Sequence, residues 1–274
     1  MTDSACDLLD ETVTEMGIGV VPLRIRFGDE ELIDREELST KEFWSRCAST
    51  PGLPSTAAPS PGQFQEAFEK MANAGADGVV CVNISSKMSA TIESARQAAR
   101  ALEGKVPVTV VDSETVTLGL GLVVTEAARA AADGRSLDEV AAAATAAAAN
   151  MKLYGAIDTL ENLKRGGRIG GARALLGSML SIKPVIEVRD GVVEEESKQR
   201  TRSRSLRYLA DKARAAGPVS RLAVFSADAP DLDEFVGLLE GTAPTEGQTL
   251  FGDVGPVIGT HAGRGAIGVA WIPA

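Results

Sequence analysis

The chain has 274 residues and a net charge of −10: long enough to bury one large or two modest cores, and too acidic for a general binder of nucleic acid or anionic membranes. Its three cysteines, Cys6, Cys47 and Cys81, are far apart, odd in number and in no CxxC or CxxH spacing, which argues against a zinc site or disulfide framework and for a reducing cytoplasm. The N-terminus shows no signal-peptide pattern and no uncharged apolar stretch reaches membrane-spanning length, so stable membrane insertion is not expected.

In chain order, Thr2–Leu8 reads as a loop after a strand that is missing, which suggests a true start further upstream. Val20–Ile25 reads as a strand and Leu38–Ser49 as a helix, with Ser39 and Glu42 at capping-box spacing. Thr50–Ser60 is a loop by its Pro, Ser and Gly content. It runs into a second helix start, marked by Ser60, Pro61 and Gln63. Gly78–Ile84 is a continuous apolar run, as expected of a central parallel strand. A helix follows over Ala90–Leu102, then a strand over Val106–Val111. Helices are predicted over Leu118–Ala132 and Ser136–Leu153, the latter Ala-rich and opened by Ser136 and Glu139. This alternation predicts a parallel α/β domain over residues 1–150.

From residue 151 the pattern changes. A helix is expected near Ala172–Met179, a hairpin from Pro184–Val188 and Gly191–Glu196, a helix over Thr201–Ala216, a strand over Arg221–Ser226 and a helix over Leu232–Leu239. In Val254–Trp271, the runs Pro256–Ile258 and Ala266–Trp271 read as buried strands around a glycine-rich turn. The expectation is a smaller α/β domain over 151–274 with a mixed or antiparallel sheet.

That last turn carries His261, the only histidine. A lone His is more often satisfied by a backbone carbonyl in a sheet corner than used as a ligand. Three other stretches weigh against the bland reading. Thr56 sits just before a helix start, where free N–H groups and the helix dipole favour anions, although it could equally stabilise a turn. Ser85–Ser89 joins a buried strand to a helix, the place where open α/β sheets bind ligands, although Ser89 could simply cap that helix. Lys164-Arg165-Gly166-Gly167-Arg168 sets three cations around two glycines, which suggests backbone bent round something; a solvated charge run is the alternative. No P-loop, GxGxxG after a strand or GxSxG elbow is present, so neither a nucleotide cofactor nor a Ser hydrolase is indicated. Gly119 and Gly121 fall inside an apolar helix and read as packing. Lys198, Arg200, Arg202, Arg204 and Arg207 form a dense basic cluster, either a charged edge or a docking patch for an acidic partner.

Six ordered motifs give the chain a family resemblance. Thr2-Asp3-Ser4, Ser55–Ser60 (STAAPS), Ser85–Thr91 (SSKMSAT), Leu163–Ile169 (LKRGGRI), Lys183-Pro184-Val185 and Gly255–Gly268 (GPVIGTHAGRGAIG) resemble the DegV family of bacterial fatty-acid-binding proteins. Ala57 and Ala58 stand where the family's loop has Ser and Gln. The resemblance implies a two-domain fold with a long-chain fatty acid held between a parallel α/β domain and a smaller α/β domain. It implies that Thr56, Ser89 and His261 bind the carboxylate with Arg168 close by, and that Arg200 engages a partner. That partner would be a separate ATP-dependent kinase subunit. It phosphorylates the bound carboxylate, and the acyl phosphate feeds phospholipid synthesis. No catalytic residue, metal or cofactor of the chain's own is implied. The residues agree with such chemistry: a carboxylate taken out of water needs hydrogen bonds to its oxygens, and two hydroxyls, an imidazole and an Arg meet that need. The competing readings are a stand-alone lipid or acyl-phosphate hydrolase using His261, and a ligand-sensing regulator without a kinase.

Overall fold

The computed structural model describes residues 1–50, 52–174 and 182–274. The first half contains β1 (Thr2–Asp3), α1 (Asp10–Glu15), β2 (Val20–Val21), β3 (Arg24–Phe27), β4 (Glu30–Ile33), α2 (Thr40–Ser49) and β5 (Ser55–Ala57). It continues through α3 (Pro61–Asn73), β6 (Val79–Asn83), α4 (Thr91–Ala101), β7 (Val108–Asp112), α5 (Thr117–Ala132) and α6 (Leu137–Asn150). The parallel sheet expected here runs in the order β2-β1-β6-β7. Its first strand is present as two residues, Thr2 and Asp3, so Thr2–Leu8 is not all loop. The buried Asp3 carboxylate accepts from the Asn83 side chain and the Ile84 amide, both at 2.9 Å, and from the Ala5 amide at 3.1 Å. The Thr-Asp-Ser motif thus bonds the start of the chain to the end of β6.

Val20–Ile25 is not one strand. Pro22 lacks the N–H that a ladder needs, and the chain leaves the parallel sheet there to enter a separate antiparallel sheet, β4-β3-β5. Residues 55–57 of the expected loop form β5, because the extended segment finds β3 as a partner. Ser60 and Ser136 close full capping boxes with Gln63 and Glu139. Ser39 caps α2, but the Glu42 side chain turns instead to Arg46.

The second half contains β8 (Lys152–Ala156), α7 (Glu161–Arg165), β9 (Lys183–Arg189), β10 (Val192–Gln199), α8 (Arg202–Ala215), β11 (Val219–Ser226), α9 (Leu232–Leu238), β12 (Leu250–Asp253), α10 (Pro256–Ala262) and β13 (Ile267–Pro273). The sheet order is β10-β9-β8-β13-β11-β12, antiparallel throughout except for the β11–β12 pair. The helix expected to reach Leu153 stops at Asn150, since residues 152–156 are claimed by two sheet neighbours, β13 and β9. The hairpin turn at Asp190-Gly191 has both residues at positive φ, 50° and 74°, as a two-residue turn with the correct twist requires. Of the helix expected over 172–179, residues 175–179 lie outside the described residues; 172–174 belong to a short 3-10 turn.

The faces of the six-stranded sheet differ. Tyr154, Leu222, Val224, Val269 and Trp271 pack under α8 and α9. Leu153, Ile186, Phe225, Ala266 and Ala270 join a larger apolar cluster that includes Val82, Leu118 and Leu122 from the first half. Gly119 and Gly121 of α5 are packing positions, as expected: added Cβ atoms would lie 2.6 Å from Thr115 Oγ1 and 2.9 Å from the Cys6 carbonyl. Among the described residues no helix is long and apolar enough to cross a membrane.

Candidate functional site

His261 does not sit at a strand end. Pro256–Ala262 is helical rather than the expected strand: Pro256 occupies the first helical turn, where its missing N–H costs nothing, and Gly263 at φ 80° ends the helix. An added Cβ at Gly259 would lie 2.9–3.0 Å from the Trp44 and Phe43 rings, so a close approach to α2 fixes this short helix. Its last turn directs His261 toward β5, where Thr56 pairs with Ile25. Thr56 Oγ1 and His261 Nε2 are 3.2 Å apart, within hydrogen-bond distance. Burial, and secondarily the charge of Arg168, push the imidazole down to a pKa of about 4, so the ring is neutral at pH 7. Its Nδ1 has no hydrogen-bond partner among the described residues.

The Lys164–Arg168 segment explains why two glycines are needed. Gly166 ends α7 in ordinary helical backbone, φ −70° and ψ −10°, yet an added Cβ would lie 2.2 Å from His261 Nδ1 and 2.8 Å from Cε1. The backbone is bent round the imidazole itself. Gly167, at φ 71°, supplies the turn. Arg168 is then held by two carbonyls: its Nε donates to Met88 at 3.0 Å and its Nη1 to Gly166 at 2.7 Å. Asn162, which the sequence did not single out, ties α7 to α10 by donating to the Thr260 carbonyl at 3.3 Å.

Ser89 is one residue short of the N-cap of α4, which is Ala90. Its hydroxyl lies 2.8 Å from Thr91 Oγ1 and accepts weakly from the Thr91 amide, so it serves its own helix start while facing the cavity. Ser85 has a different task. It donates to the Gly191 carbonyl at 2.7 Å, and Lys87 Nζ donates to the Asp190 carbonyl at 2.6 Å. Together they fasten the tip of the β9–β10 hairpin to the first half.

Thr56, Ser89, Arg168 and His261 all line one narrow cavity. Beyond these four the lining is almost wholly apolar, with Ile84, Val116, Leu153, Ile186, Val193 and Phe225 among its walls. Thr56, Arg168 and His261 also face a second, outer hollow together with Ser55, Asn162 and Arg165. Thr56, Arg168 and His261 thus stand between the apolar interior and the surface, with Ser89 facing the cavity alone. Among the described residues no three His, Cys, Asp or Glu side chains are grouped to hold a metal.

The basic cluster divides. Arg200 is exposed at the end of β10 and does not line the cavity. Arg202 is not a free docking cation: it pairs with Asp231 through two bonds of 2.8 and 2.9 Å and donates to the Gly265 carbonyl at 2.7 Å. It holds α8 against the loop that opens β13. Lys198 lies 3.3 Å from Glu195.

Fold and site together define an α/β protein with an apolar cavity that carries polar side chains toward its outer end. The DegV family model, described as an uncharacterised protein family, matches residues 1–274. A DegV domain-containing protein of Streptomyces coelicolor is 36% identical over 272 residues, covering 98% of this chain and 96% of the relative. The chain belongs to the DegV family. A solved structure of a DegV family protein from Thermus thermophilus, described for its fatty acid binding, superposes with a TM-score of 0.88 at 32% identity, covering 100% and 98% of the two chains. DegV of Bacillus subtilis, described as a fatty acid binding protein, gives 0.87 at 28%, over 100% and 98%. A stearic acid-binding protein from Eubacterium ventriosum gives 0.88 at 26%, over 99% and 97%.

Proposed function

We propose that the protein binds a long-chain fatty acid in this cavity and presents its carboxylate to a separate, ATP-dependent kinase subunit. The observation that carries the reading is an apolar cavity with Thr56, Arg168 and His261 gathered where it meets the outer hollow. Thr56, Ser89 and His261 would bond the carboxylate oxygens, and Arg168 would supply the compensating charge. The fatty-acid binding described for three similar structures supports the ligand class. Placing the head at the outer hollow leaves it within reach of a second protein, which transfer of a phosphoryl group to it requires. The acyl phosphate would then enter phospholipid synthesis in the cytoplasm. Membrane insertion, nucleic acid and a cofactor of the chain's own have no part in this reading, and the domain division at residue 150 belongs to the proposal.

The hydrolase reading finds less support. A histidine acting as general base is held in place by a third group bonded to its other nitrogen. Nδ1 of His261 has no such partner among the described residues and faces the backbone of Gly166. Denaturing mass spectrometry of the purified protein tests the ligand class: a co-purified fatty acid is expected, and a ligand-free protein that takes up no added fatty acid refutes it. Incubation with an acyl phosphate and no kinase tests the carrier role, since turnover lost in His261→Ala would overturn it.

A further inference from the structure

One wall of the cavity is a single cross-strand row. Phe225 of β11 pairs with Gly268 of β13, Gly268 with Gly155 of β8, and Gly155 with Ile186 of β9. Residues directly opposite on neighbouring strands share a sheet face, and Leu153, Ile186, Phe225 and Ala270 confirm that this face points into the apolar cluster beside the cavity. Strands lie about 4.8 Å apart, so two consecutive glycines cut a trough two strands wide between two large side chains. The halves of the trough differ. Over Gly268 it is filled: the Phe225 ring leans across, and an added Cβ on Gly268 would lie 2.1 Å from Cε2 and 2.3 Å from Cζ. Over Gly155 it is open: this glycine lines the cavity, and an added Cβ would meet only Ile186 at 3.6 Å and the Ile267 carbonyl at 3.7 Å. None of the four polar head residues comes from this row.

We propose that this row gauges the length of the acyl chain: the tail lies on the bare backbone of Gly155, and the Phe225 ring, seated over Gly268, is the stop that limits how long a chain the cavity admits. The inference rests on the fatty-acid reading of the cavity and adds its selectivity. A close-packed apolar pocket is sensitive to single methylenes, at about 10–200-fold each. Gly268 has to lack a side chain for the ring to fold back, and Gly155 has to lack one for the tail to use the remaining space. Gly155→Ala adds one methyl at ordinary contact distance, in backbone that is not left-handed, so the fold accepts it.

The test is competition binding of a saturated series, dodecanoate to octadecanoate, to the full chain, with the co-purified fatty acids read by mass spectrometry. Gly155→Ala is expected to shift the preferred length downward and to weaken the longest bound chain about tenfold more than the shorter ones. Phe225→Leu is expected to shift it upward. Opposite shifts in the two variants support the gauge. An unchanged length preference in both, with fatty acid still bound, overturns the gauge and leaves the carrier reading standing. A wild-type protein that binds no member of the series fails the carrier reading itself.

Discussion

Gly166→Ala isolates the head group from the fold. The Gly166 backbone is right-handed helical, so Ala costs no backbone strain there, and the main effect falls on His261, whose Nδ1 would lie 2.2 Å from the new methyl, with the Asn162 carbonyl at 3.1 Å beside it. The imidazole must swing away from Thr56, losing the 3.2 Å contact and its place beside the ligand. A hydrogen bond to a charged group contributes about 1.5–3 kcal/mol, and about 1.4 kcal/mol is a tenfold change in affinity. Fatty-acid affinity should therefore fall about 10–100-fold while the melting temperature barely moves. Gly167→Ala is the control. Its φ of 71° penalises Ala, but nothing lies within 4 Å of the added atom. It should lose roughly 1 kcal/mol of stability or somewhat more and keep its affinity. Calorimetric titration with a saturated long-chain fatty acid, paired with thermal melts, separates the two. Wild-type affinity in Gly166→Ala, or equal affinity losses in both variants, would refute the reasoning.

Burial, with Arg168 adding repulsion, holds His261 down to about 4 in the folded chain, against the ordinary imidazole value of 6.5. The unfolded chain binds this proton first, so the contribution to stability is complete above pH 6.5 and is lost as pH falls from 6.5 toward 4. A carboxylate beside the ring favours imidazolium, so fatty-acid binding should take up protons in that window, measured by calorimetry in two buffers of different ionisation heat; zero uptake counts against His261 as a head-group ligand. Burial, with Asp34 adding repulsion, pushes Asp7 up to about 8, so the native state holds a proton that the unfolded chain releases and stability declines as pH rises from about 4 to 8. Asp7→Asn should raise the melting temperature more at pH 9 than at pH 6, and a uniform or reversed effect would show that the carboxylate is ionised in the fold. Arg200→Ala should leave fatty-acid affinity and stability unchanged but sharply reduce phosphorylation by a cognate kinase. Arg202→Ala should instead cost roughly 2 kcal/mol, or about 4–8 °C, by stranding Asp231; equal phosphorylation of wild type and Arg200→Ala removes the docking role.

Caps, the central strand Val79–Asn83 and the β9–β10 hairpin were legible because each rests on residues adjacent in sequence. Elements set by distant partners were not. Residues 152–156 follow an Ala-rich helix with no punctuation and become a strand only because β13 and β9 lie on either side. Pro256–Ile258 is too short an apolar run for periodicity to separate helix from strand; Pro256 followed by Gly263 was the available helix signal. In the site, the two glycines of 166–167 announced a close approach but not its object, because His261 arrives from the far end of the chain. Gly155 and Gly268 gave no local signal: only the register aligns them.

The hairpin tip held by Ser85 and Lys87 has a consequence for how this protein can diversify. Val188 and Val193, on the two hairpin strands, wall the cavity, and the loop that grips their turn also carries Ser89. Loosening that grip would disturb an apolar wall of the cavity and the loop that bears Ser89 at once, so neither can drift alone along this edge. The inner strands β8, β11 and β13 are not held by that grip. Variation in ligand preference should therefore collect on the inner strands β8, β11 and β13 and leave the Ser85–Ser89 loop unchanged.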